Sequence, residues 1–339
     1  MADESHIAME GDFFVIAAAA YYFVETYIPG ADFQSEIPTQ TTVCSPITEQ
    51  AKSVIYLIGD GMGSVHTQLF ENMTPSGDVT YYDGEEIFYG EYLPYQGAIH
   101  TDCLSGLTDS AAAATALACG FKTIKGCVGM DSKGNPLQSL TELAAQLGKA
   151  TAVMSTDKLV GATPAGFSAH APDRDNADRI SQTQLKLMQT YGTKLDCGLD
   201  GSKGYQDRIT DMLSQLEADE DGFFIMYEEG HIDKHSHNHD LQSTFDCMVR
   251  FNQAIGICME YAFYNPDTLV LITADHETGG LTPDDTGHYA YTAEAHTNAD
   301  VPLYAYGQGA EVFQNYNEEN NEVPKDIAKL WGVDNFGDI

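Results

Sequence analysis

The sequence predicts an α/β protein built on a central, mostly parallel sheet. Three observations carry that expectation. Several short runs are apolar on both faces, as buried parallel strands are. Helical patterns lie between those runs. Three of the runs also stop at an acid: "SVIYLIGD" at residues 53–60, "FFIMYEE" at 223–229 and "TLVLITAD" at 268–275.

Taken in order, the chain opens on an N-terminal segment, residues 1–52, which is set apart from a single domain over residues 53–339. Its "DFFVIAAAAYYFV", residues 12–24, is the only long apolar run, and it is too short to span a membrane. Its length suits the core of a signal peptide. However, Asp3, Glu4, Glu10 and Asp12 stand where a leader carries basic residues, so a packed or interface helix is the expectation. After the strand at 53–60, "SAAAATALACG" at 110–120 reads as a helix of strong formers closed by Gly120. Further helices are expected at 139–148, 180–192 and 243–263, and further strands at 150–156 and 301–307. The Gly- and Asp-rich stretch 193–222 reads as a connection, and 278–299 reads as a loop. In such sheets ligands bind beyond the carboxyl ends of the strands, where Asp60, Glu228 and Asp275 would project.

Composition narrows the function classes. The chain has 339 residues with 51 Asp plus Glu against 16 Lys plus Arg, a formal net charge of -35. Such a field repels nucleic acid and anionic lipid. It would also repel a phosphate substrate unless bound metal ions added local positive charge. The seven cysteines include no CxxC pair, which argues against a Cys-based zinc site and for free buried thiols at most positions.

Two stretches carry the chemistry. "EEGHIDKHSHNHD", residues 228–240, crowds four histidines among carboxylates. It is either a solvated polar face or a metal site of mixed nitrogen and oxygen ligands. Asp233 and His237 are four apart, so one helical turn puts both on one face. In "LTDSAAAATALACG", Ser110 precedes the alanine run. It is either the N-cap of that helix or a nucleophile at a helix end that favours phosphate oxygens. A serine hydroxyl needs a base or a metal to become reactive, and no base stands near it in the sequence.

Six blocks in order, "IGDGMG", "TDSAAAATA", "ATPAGFSAH", "EEGHIDKHSH", "TADHETGG" and "HTNADVPLYAYG", resemble the alkaline phosphatase family over roughly residues 53–315. The resemblance implies a three-layer α/β/α sandwich. It also implies a phosphomonoesterase with two zinc ions and one magnesium ion that works through a phosphoserine at Ser110. Asp233, His237 and His296 match the ligands of the first zinc, and Asp275 and His276 match those of the second. Asp60 resembles the carboxylate shared between the second zinc and the magnesium, which Thr163 and Glu228 complete. Arg174 matches the guanidinium that clamps phosphate, and Lys234 resembles a lysine found there in some bacterial members. His231, His235 and His239 receive no role and read as solvated surface. The implied partners are phosphomonoesters and inorganic phosphate, with no specific nucleic acid and no transmembrane span. An extracytoplasmic location is implied as well, and a homodimer is left open.

The chain also departs from the family pattern. Gly161 stands where an acid or histidine approaches the magnesium, Glu229 where glycine is usual, and Asn298 where glycine follows "HT". Only 19 residues separate His276 from His296, so a large insertion common in the family is missing. Glycine at 161 is expected to leave Lys234 without an acid partner and freer to reach phosphate. A phosphodiesterase or sulfatase is the nearest rival reading. "CSPIT" at Cys44 approaches the sulfatase pattern but lacks its arginine. A non-catalytic metal-binding protein would have no need of Ser110 and Arg174 together with every ligand.

Overall fold

A computed structural model of the chain describes residues 51–77, 79, 87–197 and 205–338. The apolar run at 12–24 and Cys44 lie outside the described residues. The main sheet has eight strands: β1 (Ser53–Gly59), β2 (Tyr95–His100), β3 (Ala150–Ser155), β4 (Lys194–Cys197), β5 (Phe223–Glu229), β6 (Thr268–Thr273), β7 (Val301–Gly307) and β8 (Asn317–Glu319). Their spatial order is β8-β2-β7-β6-β1-β5-β3-β4. Only β7 runs against its neighbours; every other pairing in this sheet is parallel.

β1, β5 and β6 are buried at every residue, which is why their sequences are apolar on both faces. The register sets Ile58 of β1 beside Glu228 of β5 and Thr273 of β6. The acids that close these runs therefore emerge at one edge of the sheet.

Helices cover the faces. They are α1 (Ser110–Cys119), α2 (Leu140–Gln146), α3 (Ala162–Ser168), α4 (Ala177–Tyr191), α5 (Tyr205–Leu216), α6 (His231–His237), α7 (Leu241–Tyr264) and α8 (Val323–Leu330). α1 is buried along its whole length, and Gly120 closes it in the left-handed conformation. Its alanines let α3 approach closely: a Cβ placed on Gly166 would lie 2.7 Å from Ala114 Cβ. α2 begins with a capping box in which Ser139 and Glu142 each satisfy the other's backbone N–H.

Two expectations about connections are corrected. Residues 193–222 are more than a connection, because they contain β4 and α5. The stretch 278–299 is more than a loop: Glu277–Thr278 pairs with His296–Thr297, and Leu281–Pro283 pairs with Tyr289–Tyr291. The first pairing is what carries His296 back to the sheet edge. The six described cysteines are free thiols, five of them buried. Among the described residues, no helix is long and apolar enough to cross a membrane.

Candidate active site

The site begins where β1 ends. Asp60 is followed by Gly61 at φ +80°, which turns the chain sharply. A Cβ on Gly61 would lie 2.8 Å from Asp233 Cα, so only glycine lets β1 and α6 come this close. The Gly61 N–H then donates to Asp275 Oδ1 at 3.1 Å, and the His276 N–H donates to the same atom at 2.9 Å. Two backbone N–H groups thereby fix Asp275 through Oδ1.

Two groups that could hold a metal ion form at this edge. Asp233, His237 and His296 make one, and Asp60, Asp275 and His276 make the other; in each, one nitrogen or oxygen atom per residue lies within 4.8 Å of the others. All three histidines are held through Nδ1. His237 Nδ1 meets the Glu294 carbonyl at 2.9 Å, His296 Nδ1 the Thr108 carbonyl at 3.3 Å, and His276 Nδ1 the Thr278 hydroxyl at 3.2 Å. Each ring therefore turns Nε2 toward the carboxylates: 3.3 and 3.5 Å from Asp233 Oδ1 for His237 and His296, and 3.2 Å from Asp275 Oδ2 for His276. Such outer contacts orient metal-binding imidazoles. The Thr278 hydroxyl also donates to Asp233 Oδ1 at 2.6 Å, linking the two groups.

The electrostatics are set by burial and by the crowding of carboxylates. Burial, then the neighbouring Asp275, Asp233 and Glu228, pushes Asp60 well above the usual carboxylate range. Burial raises Asp275 to about 6 and Glu228 to about 7. Burial also works to raise Asp233, but the hydrogen bond from His237 and the charge of His276 overcome it and hold Asp233 low. Burial lowers His276 and His296 to about 4, while the Asp233 hydrogen bond raises His237 to about 9. Asp60 Oδ1, Asp275 Oδ2 and Thr163 Oγ1 are buried without a hydrogen-bond partner. Partnerless carboxylate oxygens facing imidazole nitrogens fit zinc, and a buried hydroxyl beside a carboxylate fits magnesium. Glu228 accepts a hydrogen bond from Ser155 Oγ, and Thr163, in the first turn of α3, lies near it.

Ser110 is the first residue of α1, but the cap is Asp109, whose carboxylate accepts from the Ala112 N–H at 3.0 Å. The capping reading of Ser110 is thus corrected. Its hydroxyl instead lies 3.3 Å from His276 Nε2, a neighbour that sequence distance concealed. Asp109 does two further jobs. It accepts from the Gly126 N–H at 3.1 Å and from Arg174 Nη1 at 3.1 Å, which brings the guanidinium to the start of α1.

Lys234 differs from expectation. It is not free, because its ammonium lies 2.7 Å from Asp157 Oδ2, an acid from the loop after β3. His231 is also not solvated surface: Nδ1 lies 3.2 Å from Thr156 Oγ1, beside the buried Glu229. Exposed His239 stacks on Tyr291.

A layered α/β protein whose sheet edge gathers two nitrogen–oxygen ligand sets around one helix-borne serine is the class defined here. The chain belongs to the alkaline phosphatase family, whose model matches residues 51–195 and 192–294. It is 29% identical over 303 residues to alkaline phosphatase 3 of Bacillus subtilis, covering 73% of this chain and 65% of that protein. Alkaline phosphatase 4 of the same organism is 29% identical over 302 residues, with 72% and 65% covered. The chain therefore spans slightly less than two thirds of these relatives. The structure of alkaline phosphatase from the Antarctic bacterium TAB5 is similar with a TM-score of 0.71 and 26% identity, covering 83% of this chain and 98% of that one.

Proposed function

We propose that the protein is a metal-dependent phosphate monoester hydrolase acting through a phosphoserine at Ser110. The observation that carries this is the Ser110 hydroxyl 3.3 Å from His276 Nε2, beside ligand groups with buried, partnerless carboxylate oxygens. Asp233, His237 and His296 would hold one zinc. Asp275 and His276 would hold a second, and Asp60 would be shared with a magnesium on Thr163 and Glu228. Bound there, the ions would supply Lewis acidity and offset the negative charge of a phosphoryl group.

The chain's own residues position the reaction. Arg174, pinned by Asp109, offers a planar fork to two phosphoryl oxygens. α1 directs the positive end of its dipole at the same anion. Ser110 Oγ attacks phosphorus; the Oγ–P bond forms as the ester P–O bond breaks, and the alcohol leaves with a proton. Water then attacks the phosphoserine, the Oγ–P bond breaks, Ser110 regains its proton and inorganic phosphate departs. The reading takes phosphomonoesters broadly, with residues 53–339 as one catalytic domain working outside the cytoplasm. The test is hydrolysis of p-nitrophenyl phosphate against its bis ester, alongside elemental analysis of protein purified without chelator. Monoester preference with zinc above one equivalent per chain is expected. Full activity in strong chelator, or preference for the bis ester, would contradict the proposal.

A further inference from the structure

Two histidines are fully buried among the described residues. His276 belongs to the group with Asp60 and Asp275, whereas His66 has no part in the steps above. His66 lies in the helical turn Ser64–Thr67, just after β1 and Asp60. Its Nδ1 accepts from the Gly63 N–H at 3.2 Å. Burial lowers the ring to about 4, so near pH 7 it is neutral and its proton sits on Nε2. That nitrogen donates to Ser236 Oγ at 3.2 Å. Ser236 is fully buried too, on α6 directly before His237 and one turn after Asp233. The Tyr291 hydroxyl closes the far side, 3.4 Å from Ser236 Oγ and 2.8 Å from Thr244 Oγ1. Glycines let these parts meet. A Cβ would lie 2.8 Å from Asp233 Cα at Gly61 and 2.5 Å from Tyr291 Cδ1 at Gly279, and at Gly63 it would collide with Glu277. Burying an imidazole and a hydroxyl carries a desolvation cost that apolar side chains would not. Their hydrogen bond, unlike an apolar contact, is directional. It fixes how the turn after Asp60 sits against the helix bearing Asp233 and His237.

We infer that His66 is a positioning residue that acts through Ser236 to set the spacing between the Asp60–Asp275–His276 group and the Asp233–His237–His296 group. The inference rests on the metal-dependent phosphatase reading, in which each group holds a zinc ion. Gly61, packed on the α6 backbone, stops the helix from moving inward. The bond from His66 to Ser236 stops it from moving outward. Without that bond α6 is free to shift, and Asp233 and His237 lose their register with His296. The other group keeps its own ties, because the Gly61 and His276 N–H groups still hold Asp275.

The test is competition for zinc between the metal-loaded full chain and a graded chelator, with cobalt(II) exchanged in as a second probe whose visible absorption reports ligand geometry. Ser236→Ala removes the acceptor and substitutes a better helix former, so α6 should still fold. The zinc on Asp233, His237 and His296 should be held about tenfold more weakly, the lower end of what outer contacts contribute, and the cobalt absorption should change. The other zinc should be held as before. His66→Gln places an amide N–H where Nε2 stood and should stay near wild type. His66→Asn can serve the Gly63 N–H but not Ser236, and should match Ser236→Ala. Combining His66→Asn with Ser236→Ala should add little, as a shared contact requires. Three results would each overturn the inference and leave the proposed function intact: wild-type zinc affinity in Ser236→Ala, equal loss of both zincs, or His66→Gln and His66→Asn behaving alike. A wild type that takes up no zinc would overturn both.

Discussion

Stripping the cations proposed for this site should cost the protein a large part of its stability, and the buried carboxylates set the scale. Burial moves Asp275 from 3.8 to about 6 and Glu228 from 4.5 to about 7. At about 1.36 kcal/mol per pKa unit, ionising each in the folded chain costs on the order of 3 kcal/mol. Both folded values lie above the unfolded ones. Their contribution is therefore favourable at low pH and is lost as pH rises from about 4 through 6 to 7. His276 and His296, lowered to about 4 from 6.5, work the other way: their cost appears as pH falls below 6.5 and is gone above it. At pH 8 the carboxylate cost is therefore at full size and these two histidines add none. Bound cations would offset that cost, on the order of 3 kcal/mol or more, which is on the order of 10 °C in Tm for a domain of this size. The assay is calorimetric melting of chelator-treated and zinc- and magnesium-loaded protein at pH 8 and pH 5. The loaded protein should melt well above the stripped one at pH 8. The gap should narrow at pH 5, where protons compete for the ligands. Equal melting temperatures at pH 8, or a wider gap at pH 5, would refute the reasoning.

Other substitutions test separate parts of the site. Ser110→Ala should lower turnover by several decades while leaving zinc content unchanged, measured by steady-state rates with elemental analysis. Gly61→Ala forces a Cβ into φ +80° and to 2.8 Å from Asp233 Cα. It should destabilise by roughly 1–3 kcal/mol and weaken zinc binding, read by melting with and without zinc; an unchanged melt in both would count against the close β1–α6 approach. Gly161→Asp adds an acid beside the Asp157–Lys234 pair. It should tighten the magnesium dependence of activity and weaken inhibition by phosphate; no change in either would place position 161 away from the magnesium proposed on Thr163 and Glu228.

The buried centre of the fold was legible in the sequence. β1, β5 and β6 are apolar on both faces because helices cover both, and their terminal acids mark the sheet edge. The strands that escaped notice lie at or near the margins. β2, "YQGAIH", is mostly half-exposed, and β8, "NEE", is exposed throughout, so neither carries a strong apolar pattern. The residues that the structure gathers at the sheet edge were legible because their motifs are local. What could not be read were the contacts that orient them. His237 and His296 are turned by backbone carbonyls of Glu294 and Thr108, which leave no trace in residue type. "TDS" offers three consecutive capping residues, and only the fold selects Asp109, freeing Ser110. Asp157 and Lys234 lie far apart in sequence, and β3 and β5 running side by side bring their loops together.

The central claim is a covalent phosphoserine at Ser110, and trapping it tests the account most directly. Metal-loaded protein mixed with p-nitrophenyl phosphate, quenched in acid and digested, should yield the peptide containing Ser110 with phosphate attached, and the Ser110→Ala variant should yield none. Phosphate on no peptide despite rapid monoester hydrolysis, or phosphate on another residue, would contradict it.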